Sequence, residues 1–188
     1  VANRLCPTLE QSFLAGGQRE ERIFAAIVLP ELCGEPDLLL ELLAHAEPDQ
    51  LPFVVRSLER RREATVPLLL AGLKADKVPA GDSKSTPSRS AASKANLAVA
   101  LLYLGRDGPV WPLLGSTGEP AVRTEIIHRI ADADVPAGRL AERLAVEQDR
   151  DILAALLLSL GEYRSIQFPI VERRACVSRV FEIFEEHR

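Results

Sequence analysis

The residues best equipped for chemistry are three histidines, three cysteines and one cluster of arginines. His45, His128 and His187 are the whole histidine set. A metal site needs two or three converging ligands, and neither an HxxxH nor an HxxE spacing occurs, so no metal and no cofactor is expected. His128 lies beside Arg129 in "IHR", where it either faces a ligand or another domain, or bonds a carbonyl or carboxylate as helix histidines commonly do. Cys6, Cys33 and Cys176 are far apart, odd in number and without a CxxC. They read as small apolar residues rather than a disulfide framework, and a reducing cytosol is the expected setting. Cys176 follows Arg173 and Arg174, and basic neighbours are what lower a thiol pKa. In "RSLERRRE", Arg56, Arg60, Arg61 and Arg62 gather near a helix end, as a phosphate-binding strip would. Glu59 and Glu63 interrupt the strip, and late-helix arginines complement the helix dipole, which favours a solvated face.

The elements that position these side chains are helices. Of the 188 residues 47% are apolar and only 5% aromatic, with Leu and Ala dominant. That balance suits helix, since Leu and Ala lose little on entering one while strands favour β-branched and aromatic residues. The net charge of −4 gives no electrostatic footprint for a polyanion. No apolar run is long enough to span a bilayer and no signal-peptide pattern opens the chain. The chain starts at Val1 and contains no Met, so it is expected to be a fragment of something longer.

Prolines 36, 52, 67, 112, 120, 136 and 169 fall near the beginnings of apolar-periodic segments, where the first-turn N–H groups lack helical partners anyway. Gly105 and Gly161 follow matching "LG" ends and are expected to close helices in the left-handed conformation. One segment breaks the rhythm. Residues 75–95, "ADKVPAGDSKSTPSRSAASKA", hold almost no large apolar side chain and predict a flexible surface loop, open to serine modification. Trp111, the single tryptophan, reads as a core anchor, and Asn96 as a cap or a bond to the loop before it. On "RLAERLAVE", Leu140, Ala141 and Leu144 share one face while Glu142, Arg143 and Glu147 are expected to face solvent.

Aligned on their inner positions, "RIFAAIVL", "QLPFVVRSL", "ANLAVALLYLG", "AVRTEIIHRIA" and "DILAALLLSLG" recur at intervals of about 30 residues, stretched to about 45 across the serine-rich segment. A more variable helix lies in each gap. This periodicity predicts an all-α chain, an α-solenoid of about five helix pairs in a single domain over residues 1–188. The last helix carries Val177, Val180, Phe181 and Phe184 at helical spacing, with no following helix in the chain to cover them.

The stretch "EPAVRTEIIHRIA" resembles the second helix of a HEAT repeat, whose acidic–Pro–x–Val–Arg step is matched by Glu119, Pro120, Val122 and Arg123. The resemblance implies that Arg123 lays its stem along the neighbouring repeat and pairs with an acidic residue there. Over residues 19–188 the chain also resembles the helical region of large planctomycete-type bacterial proteins that carry a Ser/Thr protein kinase domain and a formylglycine-generating (sulfatase-modifying-factor) type domain. The shared elements are "ANLAVALLYLG", "VWPLL", "EPAVR", "IHR" and "ALLLSLGE". This chain itself has no glycine-rich kinase loop, HRD or DFG. What the resemblance implies is a cytoplasmic, non-catalytic HEAT-like scaffold that spaces or regulates such flanking domains. Its partners would be proteins, with no nucleic acid and no membrane, and the parent's own downstream segment would cover the last helix. Arg56, Arg60, Arg61, His128, Phe181 and Phe184 are the candidate interaction residues. The competing reading is a nucleic-acid-binding module related to the HEAT-like alkylpurine DNA glycosylases, which grip DNA through basic concave faces.

Overall fold

The computed structural model describes residues 2–14, 18–33, 35–75, 87–116 and 119–186, and among these every regular element is a helix. The α-helices are α1 (Ala2–Leu14), α2 (Arg19–Leu32), α3 (Pro36–His45), α4 (Leu51–Glu59), α5 (Arg62–Lys74), α6 (Pro87–Tyr103), α7 (Pro120–Arg129), α8 (Ala137–Val146), α9 (Arg150–Gly161) and α10 (Ile170–Glu186). A short 3-10 helix, Trp111–Leu114, stands between α6 and α7. Local chemistry sets many of the starts. Pro36 and Pro120 are first helical residues, where a missing N–H costs nothing. Asp149 caps α9 by accepting from the N–H groups of Asp151 (2.9 Å) and Ile152 (3.1 Å). Pro67 is different: it lies inside α5 rather than at its start.

The helices pack in two rows. In one, α2 packs on α4, α4 on α6, α6 on α7 and α7 on α9. In the other, α1 packs on α3 and α3 on α5, while α8 packs on α10 further along the chain. Between the rows lies one continuous apolar core. Leu29, Leu42, Leu58, Leu101, Val122, Ile126 and Leu156 are wholly or almost wholly buried in it, each contributing about 1.5–3 kcal/mol. Trp111 is buried with them.

Two expectations about segment boundaries are corrected. Residues 87–95 are not loop: they form the first half of α6, with Ala91, Ser93 and Ala95 buried. Their small side chains bring α6 close against the end of α3, where the Ser93 hydroxyl donates to the Ala44 carbonyl at 2.6 Å. Residues 76–86 lie outside the described residues. Gly105 adopts the left-handed conformation (φ 68°) and closes α6, its N–H bonding Leu102 O and the Arg106 N–H bonding Leu101 O. Gly161 does not: it is the last residue of α9, followed by Glu162 in the right-handed region, while Asp134 in the turn after α7 is left-handed (φ 54°).

Asn96 sits in the middle of α6 rather than at its cap, wholly buried. Its side-chain amide donates to the carbonyls of Leu43 (2.8 Å) and Ala46 (2.9 Å) at the end of α3, where the helical ladder runs out. Its oxygen accepts from Arg129 Nη1 at 3.2 Å, and Arg129 is itself buried and held by Glu125 at 2.7 Å. The end of α3, the middle of α6 and the end of α7 thus share one satisfied polar centre.

The cysteine expectation is also overturned. Cys6 of α1 and Cys33, just after α2, form a disulfide with Cα atoms 6.4 Å apart, leaving Cys176 as the free thiol. An odd count excludes full pairing, not a single pair.

Candidate interaction surface

A groove of about 440 Å³ runs between α2 and α4. Ile27 and Glu31 line it from α2, and Phe53, Arg56, Ser57, Glu59 and Arg60 from α4 and its end. On α2, Glu20, Phe24, Ile27 and Glu31 are all exposed and fall on one stripe at i, i+4, i+7 and i+11. Phe24 is 58% exposed and Ile27 44%, an apolar centre with a carboxylate at either end.

Both groove arginines already have carboxylate partners. Arg60 Nη1 meets Glu31 Oε2 at 2.6 Å across the groove, and Arg56 Nη2 meets Asp134 Oδ2 at 3.1 Å in the turn after α7. The Tyr103 hydroxyl donates to Glu59 at 3.4 Å; burial, then the Glu59 charge, push its pKa up. The result is a mixed rim around an apolar floor, not a basic strip. Arg61 is half-buried at the start of α5 and does not line the groove.

The remaining candidate residues lie elsewhere. His128, at the end of α7, shares a 3.0 Å contact with Glu162 beyond α9, and His45 Nδ1 bonds Glu41 O at 2.9 Å. His187 and the side chain of Phe184 lie outside the described residues. Phe181 is 66% exposed on α10. Cys176 is buried, and burial first, then the Glu172 carboxylate, raise its pKa; Arg173 and Arg174 do not activate it. Among the described residues no three His, Cys, Asp or Glu side chains converge as metal ligands. Arg123 reaches from α7 to α9, but it meets the Asp151 carbonyl at 2.9 Å, not a carboxylate.

Two side chains expected at the surface of α8 turn inward. The helix ends at Val146, so Glu147 leaves its polar face and enters the junction with α9, where it is buried. It accepts from the N–H groups of Gln148 (2.8 Å) and Asp149 (3.0 Å) and from Arg143 Nε (2.8 Å). The Arg143 guanidinium in turn lies 5.7 Å from the Trp111 ring centroid. Burial opposes ionisation of Glu147, but those donors more than offset it and hold its pKa below the ordinary glutamate value. A depressed carboxylate stabilises the fold above its unfolded pKa of about 4.3 and loses that contribution as pH falls through the folded value. Glu147→Gln is therefore expected to be less stable than the parent at pH 7, with the gap closing as pH falls below about 4. Urea midpoints across pH check this, and a gap that stays constant refutes it.

Comparison with known proteins identifies no relative: no family model, no curated protein and no solved structure matches the chain. No helix among the described residues is long and apolar enough to cross a membrane. Sequence reasoning singled out the groove arginines but missed Phe24 and Ile27. The signal was present in their spacing with Glu20 and Glu31, masked by the apolar run of α2 around them.

Proposed function

We propose that this chain is a non-catalytic protein-interaction scaffold, an α-solenoid of HEAT-like helix pairs that takes a protein partner in the α2–α4 groove. The observation that carries the reading is the groove with its flank: Ile27 exposed inside it, Phe24 exposed beside it on α2, charge at the rim, and both arginines paired with Glu31 and Asp134. An apolar centre inside a polar rim suits a protein surface, whereas a polyanion site needs cations free to meet phosphates. The ordered packing α2–α4–α6–α7–α9 supports the solenoid. From the resemblance of residues 19–188, the partners are the kinase-type and sulfatase-modifying-factor-type domains of a larger bacterial protein. In a reducing cytosol the Cys6–Cys33 pair would be present as thiols, so a cytoplasmic setting and a persistent disulfide are alternatives.

A photocrosslinker at position 27, tested against those two purified domains, should capture one of them, and Phe24→Arg should abolish the capture. Duplex DNA at physiological salt should bind no tighter than the non-specific range, about 10⁻⁴–10⁻⁶ M. Nanomolar DNA binding with no captured domain would replace this reading with the nucleic-acid one.

A further inference from the structure

The outer face of α10 lies away from the groove and is self-complementary. Ile170, Val171, Arg174, Val177, Ser178, Phe181 and Glu185 are all exposed and fall within one stripe at helical spacing, while Cys176 and Ile183 face the rest of the chain. Of these, Ile170, Val171 and Phe181 are each more than 60% exposed. From Arg174 to Glu185 the stripe is apolar in its middle and oppositely charged at its two ends, with Arg174 one turn before Val177 and Glu185 one turn after Phe181, while Ile170 and Val171 extend it beyond Arg174. Neither Arg174 nor Glu185 has a partner among the described residues.

We infer that this face pairs with α10 of a second copy of the chain, the two helices running antiparallel about a two-fold axis between Val177 and Phe181. In that register Val177 of each copy faces Phe181 of the other, and Arg174 faces Glu185 twice. A parallel arrangement instead sets Arg174 on Arg174 and Glu185 on Glu185, which charge repulsion disfavours. Two helices of this length bury less than the ~1,200–2,000 Å² of a standard interface, which places the dimer in the weak, concentration-dependent class. The inference goes beyond the groove reading, which lies on α2 and α4 and does not involve α10, and it puts a second copy where the resemblance implies a downstream segment.

The test is sedimentation of the whole chain over a concentration series up to about 500 µM. A reversible monomer–dimer equilibrium is expected, weakened at least tenfold by Arg174→Glu and, separately, by Glu185→Arg. The decisive arm mixes the two single variants. Each repels itself, yet an Arg174→Glu copy offers two carboxylates to the two arginines of a Glu185→Arg copy, so the mixture should dimerise although neither variant does so alone. Circular dichroism of each variant checks that it is folded. A monomer at every concentration, a dimer indifferent to both substitutions, or variants that fail to associate on mixing each overturn the inference, and each leaves capture at the α2–α4 groove untouched.

Discussion

Replacing Asn96 with Leu should lower the unfolding free energy by about 3–5 kcal/mol, as much as emptying a large core position would. Leu is close in volume, so the loss is not a cavity. It comes from three buried hydrogen bonds lost together: the Leu43 carbonyl keeps only the Ala46 N–H (3.3 Å), and the Ala46 carbonyl and Arg129 Nη1 keep only their long bond to each other (3.4 Å). A lost hydrogen bond costs about 0.5–1.5 kcal/mol, and one to a charged group about 1.5–3. Asn96→Asp separates donor from acceptor. It keeps an oxygen for Arg129 but replaces the donating amide with a second acceptor facing two carbonyls, and should cost nearly as much as Leu. Urea unfolding of the two variants measures both, and a loss under about 1 kcal/mol for Asn96→Leu would show that the centre is not what joins α3 to α6.

Reduction of the Cys6–Cys33 bond is the second large effect. The bond closes a loop with a sequence separation of 27, which in the chain-entropy account is worth about 3–4 kcal/mol. The disulfide is expected to form spontaneously on oxidation, and reductant or Cys33→Ser to lower the thermal midpoint by about 10 °C. Phe13 is buried and Leu9 and Leu14 pack against the core, so α1 keeps apolar contacts without the bond. Hydrogen exchange should therefore show α1 opening first in the reduced protein while α6 stays protected. Alkylation counting three reactive thiols in oxidised, denatured protein would refute the pairing.

Much of this fold is readable from punctuation. Proline at the first turn of α3 and α7 and the left-handed Gly105 after α6 mark ends whose cause is local, so the residues themselves announce them. What escaped reading depends on distant neighbours. Residues 87–95 look like a linker because their side chains are small, yet it is smallness that lets α6 approach the end of α3. Arg129 stands beside His128 in a polar pair, and it takes distant partners, Asn96 and the carbonyl of Ala46, 33 and 83 positions earlier, to explain its burial. Glu147 follows the solvent face of α8 on paper, but the helix stops one residue before it. The candidate surface divides the same way. The arginine cluster is visible in the sequence, while Glu31 and Asp134, which neutralise it, are brought in by packing.

The ties between Arg129 and Ala46 and between Arg56 and Asp134 join α7 and its following turn to parts of the chain 83 and 78 positions earlier, skipping the helices stacked between. A stack in which each layer touches only the next yields like a spring, evenly along its length. Here the helices from α3 to α7 are cross-braced, and they should bend and melt as one body. Compliance is then concentrated at the two ends, in α1–α2 and in α8–α10. If this chain holds neighbours at a set distance, it does so as a stiff bar with two soft joints, and the joints are where tension would be felt first.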